Sequence, residues 1–266
     1  MIYLSLKGGL GNMLFQIAAG VSFSIKNNTK LGFLNLHDHL NYLNSDNTYN
    51  KKLNHSYEYL NLNQFIINNN IDDSIKRNFY EYPFEFIDFV PPDNSIINGF
   101  FQSEKYFSDN KNKILDYFRP TQDIINYLEK YTFLKYNTTS IHIRRGDYLN
   151  NKELHTVQNI DYFNQAIEIL KEKTEKYIIF SDDIDWCKVN FIGDKFIFIE
   201  NEKDYNELYL MSLCDNNIIS NSSFGWWGAW MNKNNEKTVI APKKWFGPAN
   251  YQYSDKNIIP DNWIKL

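Results

Sequence analysis

The chain has 266 residues, 43% of them hydrophobic and 17% aromatic, with a formal net charge of −4. That length suits one large or two small domains at about 100–200 residues each. The apolar content excludes a disordered chain, and the charge excludes nucleic-acid binding driven by overall basicity. Asn, Lys, Ile, Tyr and Phe are abundant, whereas Ala, Gly, Pro and Arg are scarce, a pattern that A/T-rich coding would produce. On that reading the Asn runs (Asn68 to Asn70; Asn234, Asn235) are loop filler. Arg occurs only at Arg77, Arg119, Arg144 and Arg145, against 28 basic residues in all. Two cysteines, Cys187 and Cys214, without CxxC spacing indicate neither a disulfide framework nor a zinc site, which fits a reducing compartment. The apolar start is interrupted by Lys7-Gly8-Gly9 with no basic leader, unlike a signal peptide. No apolar stretch reaches the roughly 20 residues that span a bilayer. The expectation is a cytoplasmic protein with no nucleic-acid partner and no transmembrane segment; peripheral contact with a membrane is left open.

In chain order, Met1 to Leu6 reads as a strand, Gly8-Gly9-Leu10-Gly11 as a tight turn, and Asn12 to Lys26 as an amphipathic helix. Leu31 to Leu36 reads as a second strand. From Asp38 to Asn98 the periodicity is weak, apart from a short strand at Ile96-Ile97 after the Pro91-Pro92 loop. Residues 111–135 carry helical spacing (Ile114, Leu115, Phe118; Ile124, Ile125, Leu128) broken by Pro120. A domain boundary is placed between Arg119 and Asn137, giving lobes 1–130 and 131–266. Beyond it, strands are expected at Ser140 to Ile143, Tyr177 to Phe180, Phe196 to Ile199, Asn217 to Ser220 and Thr238 to Ala241. Helices are expected at Tyr162 to Lys173 with Asp161 as N-cap, at Asp204 to Cys214 with Leu208, Met211 and Leu213 near its inner face, and at Phe224 to Met231. Strands alternating with helices predict a doubly wound parallel α/β sheet.

Ligands of open α/β sheets bind beyond the carboxyl ends of the strands, and four unusual clusters fall there. In the first, Gly8, Gly9 and Gly11 let a ligand approach the backbone and the following helix N-terminus, or make only a tight turn. The third position of a dinucleotide fingerprint is missing, because Leu14 stands there. Asn12 and Gln16 lie one helical turn apart, where both amides are placed to face one cleft. In the second, His142-Ile143-Arg144-Arg145-Gly146-Asp147 ends an apolar strand. Arg kept against a Lys-rich background points to the planar fork that grips phosphate or carboxylate. Either Asp147 simply pairs with an Arg, or it orients one Arg while the other meets a ligand phosphate. In the third, Ser222, Ser223 and Phe224 open a helix and could bind an anion or merely cap it. The neighbouring Trp226, Trp227 and Trp230 suit core packing more than a sugar platform. In the fourth, Asp182, Asp183 and Asp185 could grip a ribose or a base, hold a divalent metal as a DxD, or cap a helix.

Gly8 to Ala18, Gly99 to Phe107, His142 to Tyr148, Phe180 to Trp186, Ser220 to Met231 and Ala241 to Phe246 resemble, in order and over nearly the whole chain, the galactoside α-1,2-fucosyltransferases of glycosyltransferase family 11. The resemblance implies a GT-B-like α/β fold, two Rossmann-like lobes with a cleft between them. It implies a C-terminal lobe that binds GDP-β-L-fucose and an N-terminal lobe on the acceptor side. It further implies inverting, metal-independent transfer of fucose to the 2-hydroxyl of a terminal galactose on a glycan, with no cofactor beyond the donor substrate. Carried onto this sequence, Arg144 or Arg145 would hold the β-phosphate and stabilise departing GDP. Asp147 joins them as an orienting partner. Ser222, Ser223 and Phe224, with Gly9 and Gly11, would line the donor; His142 and Asp182 would take the guanosine end, and Asn12 would lie near the transferred sugar. The family's glycine motif usually continues Asn-Gln-Met, where this chain has Asn12-Met13-Leu14. No base for the acceptor hydroxyl is assigned; Glu104 and Glu153 are the carboxylates considered. Two alternatives stand beside this reading: a metal-dependent glycosyltransferase using Asp183 and Asp185, and a glycan- or nucleotide-binding protein without turnover.

Overall fold

The computed structural model describes residues 1–34, 66–68, 77–81 and 84–266. The chain divides into two compact units, Met1–Thr121 with Ser254–Pro260, and Gln122–Tyr253 with Asp261–Leu266. Each is built on a parallel sheet.

In the first unit, β1 (Ile2–Ser5) leads through the glycine turn into α1 (Leu10–Lys26), then β2 (Leu31–Leu34), β3 (Ile66–Asn68), β4 (Arg77–Tyr80) and β5 (Ser95–Asn98). The sheet order is β3-β2-β1-β5-β4, with every described pairing parallel. β1 is buried over Ile2, Tyr3 and Leu4, as expected for a central parallel strand covered on both faces. α1 buries a broad face running from Leu10 to Phe23. Phe23 meets Phe101 and Tyr106 edge-on at 5.9 and 6.0 Å between ring centres, which ties the helix to the segment after β5. α2 (Lys111–Tyr117) closes this part of the chain before Pro120. Asn35 and Leu36 of the expected second strand lie outside the described residues, as does most of 38–98; β3 and β4 are strands there that weak periodicity did not reveal.

The second unit carries α3 (Gln122–Leu128), β6 (Thr138–Ile143), α4 (Gly146–Asn150), α5 (Ile160–Leu170), β7 (Lys176–Ser181), α6 (Ile184–Asn190), β8 (Phe196–Phe198), α7 (Asp204–Leu213), β9 (Asn216–Ile219), α8 (Ser223–Met231), β10 (Val239–Ala241) and β11 (Ile264–Lys265). Its sheet order is β11-β10-β9-β6-β7-β8, parallel throughout. The chain winds outward from β6 through β7 to β8, then resumes on the other side of β6 with β9. One face is sealed by α5, whose Phe163, Ala166 and Leu170 pack with Ile141, Ile143, Ile179 and Ile218. On the other, Trp226 and Trp227 of α8 are fully buried; Trp226 stacks with Trp230 at 5.9 Å and also meets Trp263. These tryptophans are core.

Two local expectations are corrected. Asn159, not Asp161, caps α5, its side chain accepting from the Tyr162 N–H at 3.0 Å. The helix starts one residue before Asp161, which places the Asp inside the first turn. Leu213, the last residue of α7, is 54% exposed, while Leu210 and Met211 of the same turn are fully buried. The asparagines are not all filler either. Asn232 donates to the Cys214 carbonyl and to Asn217 Oδ1, while Asn217 donates to Ser140 Oγ. Asn234 donates to the Asp215 carbonyl and accepts from the Glu236 N–H, organising the turn before β10.

Candidate active site

A doubly wound sheet opens a crevice where its strand order reverses, between neighbours whose connections leave in opposite directions. In the second unit that point lies between β6 and β9. Two of the expected clusters flank it: His142 to Asp147 at the end of β6, and Ser220 to Phe224 at the end of β9. The aspartate cluster, Ser181 to Asp183, follows the adjacent β7.

The two arginines do different things. Arg144 spends both Nη groups on carboxylates, Asp147 Oδ1 at 2.8 Å and Asp182 Oδ2 at 3.2 Å. Arg145 donates from Nε to Asp183 Oδ2 at 2.9 Å and lies over the Trp186 ring, 4.0 Å from its centre. The Arg145 backbone N–H donates to Asp182 Oδ1 at 2.8 Å. Asp182 therefore carries one bond on each oxygen and braces the turn that presents both guanidinium groups. Asp183 is equally committed: Oδ2 takes Arg145, and Oδ1 accepts from the Trp186 N–H as the cap of α6. This ionic lattice explains why the positions need Arg, since a lysine ammonium offers neither the fork nor the flat face for stacking.

His142 is 6% exposed, with Nδ1 at 3.2 Å from Ser220 Oγ. Burial, aided by Arg144, pushes it down to about 3, so it stays neutral. It packs against Phe224 at 5.5 Å and against Gly225, where a Cβ would lie 2.6 Å from Nδ1. Gly225→Ala should therefore force the His142 ring aside. Overpacking of this kind costs about 1–3 kcal/mol, and a thermal melt is expected to show Tm lowered by about 2–10 °C; an unchanged Tm would refute the tight contact. Ser222 sits at the N-cap of α8 but makes no capping hydrogen bond, and the first turn holds no acidic residue. The helix N-terminus thus retains its affinity for an anion.

Beside Arg145 lies a cavity of about 760 Å³, within the usual range for small-molecule sites. The segments 149–159 and 244–248 wall it. They are stitched together by the His155–Phe246 bridge, by Thr156 Oγ1 donating to the Phe246 carbonyl at 2.9 Å, and by the Gly247 N–H donating to the Leu154 carbonyl at 3.0 Å. Asn221, at the end of β9, completes the link: it donates to the Trp245 carbonyl and receives Gln158. Lys152, His155 and Lys244 join Arg145 in the lining. Lys152 and His155 had no motif to mark them, since in a lysine-rich chain a site lysine looks like a surface one. Lys244 was visible only as part of the Ala241 to Phe246 motif.

In the first unit the corresponding reversal lies between β1 and β5, and again the clusters flank it. Gly8 adopts φ +80°, a conformation open to glycine. Gln16 is buried, and it does not share a cleft with Asn12. Its Oε1 accepts from the Lys7 N–H at 2.9 Å and its Nε2 donates to the Lys7 carbonyl at 2.7 Å, locking the turn from behind. Asn12 Oδ1 accepts from Gln102 Nε2 at 2.8 Å, across the reversal. Gln102 follows a turn held by Glu81, whose Oε2 accepts from the Phe100 and Phe101 N–H groups, both at 2.8 Å. Burial pushes Glu81 up to about 7. Gly9 caps α1 with open space beside it, and Gly11 is buried in the first turn. Glu104 lies in the short helical turn after Gln102, and Glu153 is exposed and outside the cavity lining.

Two units on parallel sheets, each with polar clusters at a strand-order reversal, have the architecture of the GT-B fold. The fold resembles that of the α-1,6-fucosyltransferase NodZ from Bradyrhizobium soaked with GDP-fucose, with a TM-score of 0.52 at 12% identity over 86% of this chain and 92% of that one. The Glycosyl transferase family 11 profile matches residues 1–266, and the chain belongs to that family. Among its relatives are an α-1,2-colitosyltransferase from Escherichia coli, 32% identical over all of this chain and 99% of the relative, and the Escherichia coli O-antigen biosynthesis glycosyltransferase WbnK, 30% identical over the full length of both. Among the described residues, no helix is long and apolar enough to cross a membrane.

Proposed function

We propose that the protein transfers L-fucose from GDP-β-L-fucose to the 2-hydroxyl of a terminal galactose on a glycan, inverting the anomeric centre without a metal. The observation that carries this reading is the Arg145 guanidinium, oriented by Asp183 and Trp186 at the cavity beside the β6–β9 reversal. Its Nη groups have no protein partner among the described residues. With Lys152 and Lys244 in the same lining it offers a diphosphate cationic donors on several sides, while the uncapped α8 terminus stands outside that lining. Charge that develops on departing GDP is stabilised by that arrangement. The same role speaks for metal independence: fixed cations do the neutralising, and Asp183, the first half of the DxD, is committed to Arg145 and the α6 cap. Asn12 serves the transferred sugar. His142 and Asp182 take the guanosine end of the donor, His142 with its Nδ1 on Ser220 and Asp182 bracing the turn that carries Arg144 and Arg145. The two free thiols fit work in the cytoplasm.

A second donor is favoured by one observation, the full-length similarity to an α-1,2-colitosyltransferase. Colitose is L-fucose without the 3-hydroxyl, so both donors would present the same diphosphate to Arg145. The test is a panel of galactose-terminated acceptors with GDP-L-fucose or GDP-L-colitose in EDTA, with linkage analysis of the product. Transfer in EDTA giving an α-1,2 linkage from GDP-fucose is expected. Preference for GDP-colitose selects the second donor, activity that returns only with manganese selects the metal-dependent mechanism, and GDP binding by calorimetry with no transfer selects the non-catalytic protein.

A further inference from the structure

Transfer with inversion calls for a group that takes the proton of the acceptor hydroxyl, and the cavity beside Arg145 contains one group able to do so. Arg145, Lys152 and Lys244, the other ionisable groups in its lining, are cations and have no lone pair to offer. The nearby carboxylates are held by the arginines: Asp147 and Asp182 by Arg144, Asp183 by Arg145. Glu153 is exposed and is not part of the lining, though its carbonyl accepts from the Ala249 N–H. His155 remains. Its ring lies parallel to the Tyr148 ring, 4.2 Å between centres and 7° apart, and its backbone is fixed by the bridge to Phe246 and by donation to the Asn151 carbonyl at 3.0 Å. The imidazole is therefore held in orientation by stacking and backbone pairing, while among the described residues neither ring nitrogen has a protein hydrogen-bond partner.

We propose that His155 is the general base of the transferase reaction. The proposal rests on the sugar-transfer reading above and assigns a chemical role within it. A ring nitrogen of His155 accepts the proton of the acceptor hydroxyl as that oxygen bonds to the anomeric carbon. The bond from that carbon to the diphosphate oxygen breaks, its electron pair leaves with GDP beside Arg145, and the imidazolium then returns its proton to solvent. The titratable and charged groups around the ring are Arg144, Asp147 and the neutral phenol Tyr148 on its own connection, Arg145 and Lys152 in the lining, and Lys244 from the facing segment. Burial and Arg144 lower the His155 pKa below the ordinary histidine value, and Asp147 opposes them. The ring is thus neutral and able to accept a proton at pH 7.

The experiment compares wild type, His155→Gln, His155→Ala and Glu153→Gln in transfer assays, with GDP affinity by calorimetry and Tm as checks on the donor site and folding. Both His155 variants are expected to lose about 100- to 10,000-fold in kcat, with GDP affinity within about threefold of wild type. The acidic limb of the kcat/KM profile should vanish, and added imidazole should restore part of the activity of His155→Ala. A His155→Gln enzyme keeping a third or more of wild-type kcat overturns the assignment. So does a loss traced to GDP binding, a profile that keeps its acidic limb, or an equal loss in Glu153→Gln. A wild type that transfers neither sugar overturns the functional reading, and this assignment with it; a wild type that transfers beside an equally active His155→Gln overturns this assignment alone.

Discussion

Arg145→Lys is expected to lower kcat/KM by about 100-fold or more, equivalent to about 2.7 kcal/mol of transition-state stabilisation. The charge survives this substitution, so the loss measures geometry. Lysine cannot donate sideways to Asp183 while lying flat on Trp186, and it cannot offer two further parallel donors to a phosphate. Arg144→Lys differs in kind. Arg144 joins Asp147 and Asp182, and Asp182 in turn holds the Arg145 backbone. Its replacement should loosen the loop and lower Tm as well as activity, whereas Arg145→Lys should leave Tm within a few degrees of wild type. Steady-state kinetics with the donor varied, together with a melt of each variant, separates the two. Near-normal turnover in both would remove the arginines from the mechanism.

The second large effect lies away from the chemistry. Glu202 is 6% exposed and gathers Tyr127, Lys130, Tyr131 and Asn206 around one carboxylate, joining α3 and the turn after it to α7. Burial alone would raise its pKa, but the hydrogen bonds from Lys130, Tyr131, Asn206 and Tyr127 outweigh it and hold the carboxyl down to about 2. A carboxylate depressed in the folded state binds its proton more readily when unfolded. Its stabilisation is therefore complete above the unfolded value of about 4.5 and is lost as pH falls from there toward about 2. Glu202→Gln should cost about 2–4 kcal/mol at pH 7, because it leaves Lys130 and two phenols facing a neutral amide. The penalty should shrink as the pH is lowered through that window. Urea unfolding at pH 7 and pH 3 measures both; an equal penalty at the two pH values would show that the charge is not what matters.

Much of this protein is legible without coordinates because its signals are local. An apolar strand ending in glycines, a Pro120 that breaks a helical run, and alternating strands and helices from residue 138 onward each depend on a few neighbouring residues. The Arg144–Arg145 pair stood out because the chain elsewhere prefers lysine, and the same bias hid Lys152 and left Lys244 visible only through the motif around it. Asn234 was misjudged for a related reason: composition cannot separate the exposed Asn235 from Asn234, whose side chain bonds the Asp215 carbonyl and the Glu236 N–H. Gln16 was assigned to a cleft on helical spacing alone, yet the Lys7 backbone, nine residues away, claims both ends of its amide.

Elements, strand ends, and the residue types able to bind a phosphorylated ligand were set by local pattern and backbone propensity. Partnership was not. Which Arg is tied up by Asp147 and Asp182, which one faces a cavity, how 149–159 and 244–248 join to build that cavity, and how Ser254–Pro260 returns to the first unit all depend on pairs tens of residues apart. Such contacts arise only when parallel strands find their register and the crossover helices close over them. The composition bias thus located the arginines, and the tertiary structure divided the work between them.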